Sequence, residues 1–327
     1  MKFSVGYQFD ENGYFLNSIM QYKDKIEEIY FAMPDIANGR GNSWMKTLNF
    51  KEAIFRQEDE LTLLKGMGFK MNLLLNAMCY GENSLSRVFF NKLGDSIDYA
   101  TQVFGVSSVT TTSPIIAKFI KNNFSDVTVR ASVNMEIGSI EGMEYIAENF
   151  DGFYMKRELN RNFAKIEELQ NWCNNNQKQL FMLANSGCLN NCSAHAFHDN
   201  LVSHENDIMK MDNAYAFDGV CKKFLSKEEN KLKFLDYTNF IRPEDLHHYE
   251  KYFKCVKLAT RVHDAPDRII RAYCGGKWSG SLPELLEPNH SGAISPYIID
   301  NGKVNSQITD NMLVYSGMEQ ALTKINN

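Results

Sequence analysis

The chain has 327 residues, 44% of them hydrophobic and 23% charged, the balance of a folded globular protein and not of a disordered one. Lys and Arg number 35 against 40 Asp and Glu, a formal charge of −5, which gives no broad electrostatic drive toward nucleic acid. The opening MKFSVGYQFD lacks a signal-peptide core, and the longest apolar run, around Met71 to Met78, is broken by Asn72 and Asn76 and falls short of a membrane span. These features predict a cytoplasmic protein without a membrane span, whose seven cysteines are thiols or metal ligands and not disulfides.

Short apolar runs alternate with amphipathic stretches along the chain. Strands are expected at Phe3–Tyr7, Glu28–Met33, Lys70–Asn76, Ser107–Ser113, Asp126–Val133, Gly152–Lys156, Gln179–Ala184 and Cys255–Ala259. Helices are expected between them: Glu58–Gly66, Leu85–Phe104, Ile115–Asn122, Ile140–Asn149, Phe163–Asn174 and Pro243–Tyr252. Eight strands separated mostly by helices imply parallel pairing with right-handed crossovers. The expected fold is an α/β (β/α)8 TIM-like barrel over residues 1–275, with a long insertion after strand 7 and a C-terminal appendage, 276–327, packed on the barrel. The first strand is followed by QFDENGYF, not by the glycine-rich turn of a dinucleotide-binding sheet.

Barrels of this kind keep their chemistry at the C-terminal ends of the strands, and that rule sorts the thiols. Cys173 falls on the apolar face of a helix, Cys255 begins the eighth strand and Cys274 lies on a helix; all three read as packing residues. Cys79 follows the third strand, Cys188 and Cys192 follow the seventh, and Cys221 lies in the long insertion, Asn185–Asn239. Four thiols from separate loops suit zinc or an iron–sulfur cluster. Structural zinc usually shows two tight pairs, whereas only one pair is close here, so the dispersion favours a cluster. Cys188, Cys192 and His195 spell CxxxCxxH, one thiol short of the CxxxCxxC of radical SAM enzymes, whose signature follows the first strand. His195 and His198 are candidate acids, bases or ligands, and His195 is the alternative fourth ligand should Cys221 not reach.

Two stretches carry a family resemblance. One is GFYMKRELNRNFAKIEELQ, with Arg157, Glu158 and Leu159 at the end of the sixth strand. The other is NFIRPEDLHHYEKYFKCVKLATRVHDAPDRIIRAYC, with Pro243, Asp245 and Leu246 before Lys257 and Arg261. Together with VTVRASVNMEI they resemble peptidase family U32 over roughly Phe69 to Tyr273, and are closest in kind to its iron–sulfur, oxygen-independent hydroxylases. Thr260 stands where the family has a Glu before the final Arg, and Asn160 where it has a Ser. The resemblance implies a barrel and a [4Fe–4S] cluster on Cys79, Cys188, Cys192 and Cys221. It also implies prephenate as a co-substrate in some members and a homologous partner subunit, giving a heterodimer. The expected site has His195, His198 and Glu158 as catalytic residues, and Arg157, Asn185, Lys257 and Arg261 as substrate-binding residues. Arg binds carboxylates on two points, which suits an acidic co-substrate. A small molecule or peptide fits the acidic chain better than RNA. The competing functions are a non-catalytic cluster-bearing subunit and a U32 peptidase.

Overall fold

The computed structural model describes residues 1–10, 12–40, 50–82, 84–204 and 219–325. Eight strands form one parallel sheet: β1 (Lys2–Gly6), β2 (Ile26–Phe31), β3 (Lys70–Leu75), β4 (Val106–Thr111), β5 (Thr128–Ala131), β6 (Gly152–Tyr154), β7 (Gln179–Phe181) and β8 (Cys255–Leu258). They pair in chain order, and β8 returns to β1 with Ser4 opposite Lys257. The barrel closes between β7 and β8, where the Lys257 N–H donates to Met182 O at 2.9 Å and the Ala184 N–H to Lys257 O at 3.0 Å. Every expected strand is present, and the fold is the expected TIM-like barrel.

Helices α1 (Tyr14–Gln21), α2 (Phe50–Gly66), α3 (Arg87–Phe104), α4 (Pro114–Asn123), α5 (Ile140–Glu144) and α6 (Phe163–Asn175) cover the outer face. Local signals set their ends. Ser86 caps α3 by accepting from Phe89 N–H, and Gly105 stops it in the left-handed region at φ 66°. Ser113 caps α4 ahead of Pro114, and Asn162 caps α6. On α6 the buried residues Ile166, Leu169 and Cys173 form the expected apolar stripe. Two expectations are corrected. The helix from Ile140 ends at Glu144 because Ile146 and Ala147 donate three residues back, to Met143 O and Glu144 O, which tightens the chain into turns. The Pro243 segment is a 3-10 helix, Pro243–Tyr249.

The strands bury apolar side chains outward against the helices, while the barrel interior is polar. Ser4 Oγ donates to Glu28 at 2.7 Å, Arg130 pairs with the same carboxylate at 2.7 Å, and Asn72 links Ser108 and Thr110. Tyr30 crosses the interior, its hydroxyl donating to Leu258 O at 2.7 Å. Glycine makes that crossing possible: a Cβ on Gly6 would lie 2.6 Å from the Tyr30 ring. The Gly6 backbone is also tied on both sides to Thr260 Oγ1, at 2.8 Å each way.

The region after Pro266–Gly275, the helix that follows β8, contributes Leu282, Leu285, Ile294 and Ile299 to the same hydrophobic core as the barrel. An antiparallel hairpin, Asn305–Thr309 with Met312–Ser316, lies against the start of α6. Two arginines, Arg242 buried and Arg161 half-buried, stitch it down. Arg242 pairs with Asp245 at 2.7 Å and donates to Val304 O, and Arg161 lies over the Tyr315 ring at 4.2 Å. In the long insertion, residues 205–218 lie outside the described residues. No helix among the described residues is long and apolar enough to cross a membrane.

Replacing Gly6 by Ala should destabilise the fold by about 1–3 kcal/mol, because Tyr30 is buried and anchored at its hydroxyl. Thermal unfolding of the variant measures this; an unchanged midpoint would show that the ring can yield.

Candidate functional site at the C-terminal mouth

The insertion after β7 starts as a loop and becomes helix α7 (His195–Ser203). With the helix Val220–Leu225 it bounds a cavity of about 230 Å³. Cys188, Cys192 and Cys221 line this cavity beside His195, His198 and Asp199. The thiols feel one another: burial and the neighbouring Cys188 and Cys192 raise the Cys221 thiol. Cys188 is the opposite case. Arg157, a hydrogen bond from His195, and Arg40 together outweigh its burial and lower its pKa. The same hydrogen bond raises His195, whereas burial lowers His198.

Arg157 is 3% exposed and organises the surroundings. Its Nη1 lies 2.5 Å from Glu136 Oε1 and 3.0 Å from His195 Nε2, and its Nη2 donates to Asn134 Oδ1 at 2.8 Å. Arg cannot accept, so a neutral His195 presents a lone pair to it from Nε2. His195 Nε2 also stands 3.2 Å from Asp199, one turn along α7, and Nδ1 stands 3.4 Å from Glu136. Burial raises the Glu136 carboxyl. Arg40 faces Asp199 at 3.9 Å and Glu287 at 3.3 Å.

The C-terminal segment completes the wall with Glu287 and Pro288. It is held by backbone bonds, Glu287 N–H to Asn185 O and Gly187 N–H to Glu287 O, and by His290 Nε2 with Gly187 O at 2.6 Å. Gly187 has no room for a Cβ, which would collide with the Pro288 carbonyl.

Of the expected residues, Arg157, His195, His198, Cys188, Cys192, Cys221 and Arg261 gather at this end. Arg261 donates to Arg40 O at 3.4 Å, while its Nη1 is buried with no partner in the protein; burial lowers its pKa to about 10. Three expectations need correction, and one thiol stands apart. Cys79 does not line the cavity: it sits in the loop after β3, its Sγ accepting from Gly81 N–H at 3.4 Å. Asn185 has its side chain used up by backbone, accepting from Ala259 N–H and donating to Ala259 O and Leu285 O. It closes the barrel and leaves little for a ligand. Glu158 braces the thiol loop by accepting from Asn191 N–H at 3.3 Å. Lys257 points the other way, into a separate cavity at the N-terminal end.

Arg40, Glu136, Asp199 and Glu287 were not foreseen. Asp199 could have been found, because it falls four residues after His195 on one helix face. The other three come from loops and from the C-terminal segment, and have no local signature.

Among the described residues, no three His, Cys, Asp or Glu side chains stand close enough together to hold a single metal ion. The thiols are instead spread around one cavity. Three thiols line it, one fewer than the four that hold a cluster of four irons.

No family profile matches the chain. An uncharacterized protease of Methanocaldococcus jannaschii is 25% identical over 286 residues, 83% of this chain and 80% of that protein. A solved structure, the U32 peptidase Mk0906, superposes with a TM-score of 0.56 at 15% identity, over 79% of this chain and 92% of its own. The resemblance to peptidase family U32 is borne out. In this U32-like chain the barrel carries the likeness, and the mouth holds three thiols, two imidazoles and three arginines.

Arg157 and Arg261 should respond differently to substitution. Arg157→Met strands the buried Asn134 and the Glu136 carboxylate, and should cost about 3–5 kcal/mol. Arg261→Met removes a poorly paired guanidinium and should cost no more than about 1 kcal/mol. Chemical denaturation of both variants checks this, and equal losses would contradict it.

Proposed function

We propose that the mouth of this barrel holds a [4Fe–4S] cluster, and that the chain is a U32-type oxidoreductase modifying a small carboxylate-bearing molecule or a peptide. The observation that carries the reading is the convergence of Cys188, Cys192 and Cys221 on one cavity at the end of the barrel where such folds do chemistry. Cys79 is assigned the fourth thiolate. The loop that bears it is tied to α7 through Met78 N–H and Ser203 Oγ at 2.9 Å, so it adjoins the helix that carries His195. A bound cluster supplies one-electron chemistry.

The protein's own groups do the rest. Arg157, fixed by Glu136 and Asn134, holds positive charge beside Cys188 and favours its thiolate. His195, flanked by Asp199 and Glu136, moves a proton at the cavity wall. Arg261 offers a buried donor without a partner to a substrate carboxylate; prephenate, which the family resemblance implies, belongs to that class.

A second reading has one observation behind it. A thiol hydrogen-bonded to an imidazole that stands near a carboxylate is also the arrangement of a cysteine hydrolase. On that reading Cys188 attacks a peptide carbonyl, His195 takes the thiol proton and gives it to the amine that leaves as the C–N bond breaks, and water then hydrolyses the thioester.

Absorption spectra separate the two. Anaerobically purified wild-type protein should show a broad visible band that Cys79→Ala, Cys188→Ala, Cys192→Ala and Cys221→Ala each bleach and Cys173→Ala leaves intact. Colourless, metal-free protein that cleaves peptides and loses that activity on alkylation of Cys188 would replace the cluster reading with the hydrolase one.

A further inference from the structure

The second cavity has no part in the reading above. It opens at the N-terminal end of the barrel, encloses about 410 Å³ and shares no lining residue with the thiol cavity. Lys70, Lys178 and Lys254 stand at its rim, and Glu28, Arg130 and Lys257 lie within. Five cations therefore face the two carboxylates Glu27 and Glu28, so the opening attracts anions.

Glu28 is committed. Ser4 Oγ bonds one oxygen and Arg130 the other, each at 2.7 Å, and Arg130 lies over the Phe181 ring at 4.6 Å. Lys257 is left over. It is 9% exposed, and its ammonium rests on the Tyr30 ring at 3.9 Å and the Tyr154 ring at 5.0 Å. Among the described residues no carboxylate stands within ion-pair distance of it and no acceptor hydrogen-bonds it. A buried cation held only by ring faces is costly unless an anion reaches it, and the cavity gives one the room.

We propose that this cavity binds a small carboxylate, whose oxygens bond the Lys257 ammonium while its body lies against the stacked rings of Tyr154 and Phe181. Burial, joined by Arg261, Arg130 and Arg157, pulls the Lys257 pKa down to about 7 against the pull of Glu28. An arriving carboxylate restores the full charge, so the anion and the lysine proton stabilise each other. Lysine serves here as a point charge. Arg130, already paired with Glu28, holds the floor of the site.

Calorimetric titration of the full chain with benzoate, and separately with inorganic phosphate, tests the assignment. Benzoate should bind to saturation. Lys257→Met should weaken it by at least about tenfold and Lys254→Glu by several-fold, while Lys303→Met, exposed on the C-terminal segment, leaves it unchanged. Lys254 is exposed at the rim, so that variant reports even if a change inside the barrel impairs folding. Absence of saturable benzoate binding, tighter binding of phosphate, or indifference to both lysine substitutions would overturn the proposal. Weakening by Lys303→Met as strong as that by Lys257→Met would also overturn it, because the anion would then be held by general surface charge and not by this cavity.

Discussion

The thiol cavity depends on one buried guanidinium. Arg157 leaves the end of β6 and joins three elements that the chain delivers separately: the β5 loop through Asn134 and Glu136, its own 3-10 turn, and α7 through His195. A cation this deeply buried needs close acceptors, and Glu136 and Asn134 supply them. Glu136 reaches its place from a left-handed backbone conformation, φ 52°, an uncommon one for a residue with a side chain. The positive charge so fixed beside Cys188 biases that thiol toward the form that binds metal or attacks a carbonyl. Both functional readings therefore need Arg157 for the same electrostatic reason, and they differ only in what the thiolate meets.

The barrel interior obeys the complementary constraint. Its charges sit below Tyr30, where Glu28 and Arg130 neutralise each other and Lys257 lies against the rings. Burial pushes the Tyr30 hydroxyl up to about 12 against the lowering pull of Arg261. Glycine at positions 6 and 152 gives the aromatic rings room inside the strands; a Cβ on Gly152 would lie 2.7 Å from Phe181. Two cavities with different chemistry, one of thiols and imidazoles and one of ammonium groups and aromatic rings, thus occupy opposite ends of one sheet.

The fold was legible in the sequence because strand-like runs alternate with helical stretches, and the helices after β3, β4, β5 and β6 each start at a readable cap, such as Ser113–Pro114 before α4. The thiols on apolar faces were legible for a related reason: burial raises Cys173 and Cys274 to about 12 and leaves them inert. Position along the strands placed Cys188, Cys192, His195 and Arg157 at the mouth. What the sequence did not disclose were side-chain directions and long-range partners. Lys257 sits on the same strand that leads to Arg261, yet it points toward the N-terminal end because its register partner is Ser4, low in the barrel. Asn185 looked like a ligand donor at a strand end, but its amide fills a gap in the β7–β8 ladder. Glu287, a hundred residues from the thiol loop, joins the site through a parallel bridge with Ser186 that no local pattern announces.

Native mass spectrometry of the anaerobically purified chain tests the central claim most directly, because it weighs whatever the thiol cavity holds. The account predicts the mass of the polypeptide plus one [4Fe–4S] cluster, lost when Cys188 is replaced by Ala. The bare polypeptide, or the polypeptide carrying a single zinc ion, would contradict it.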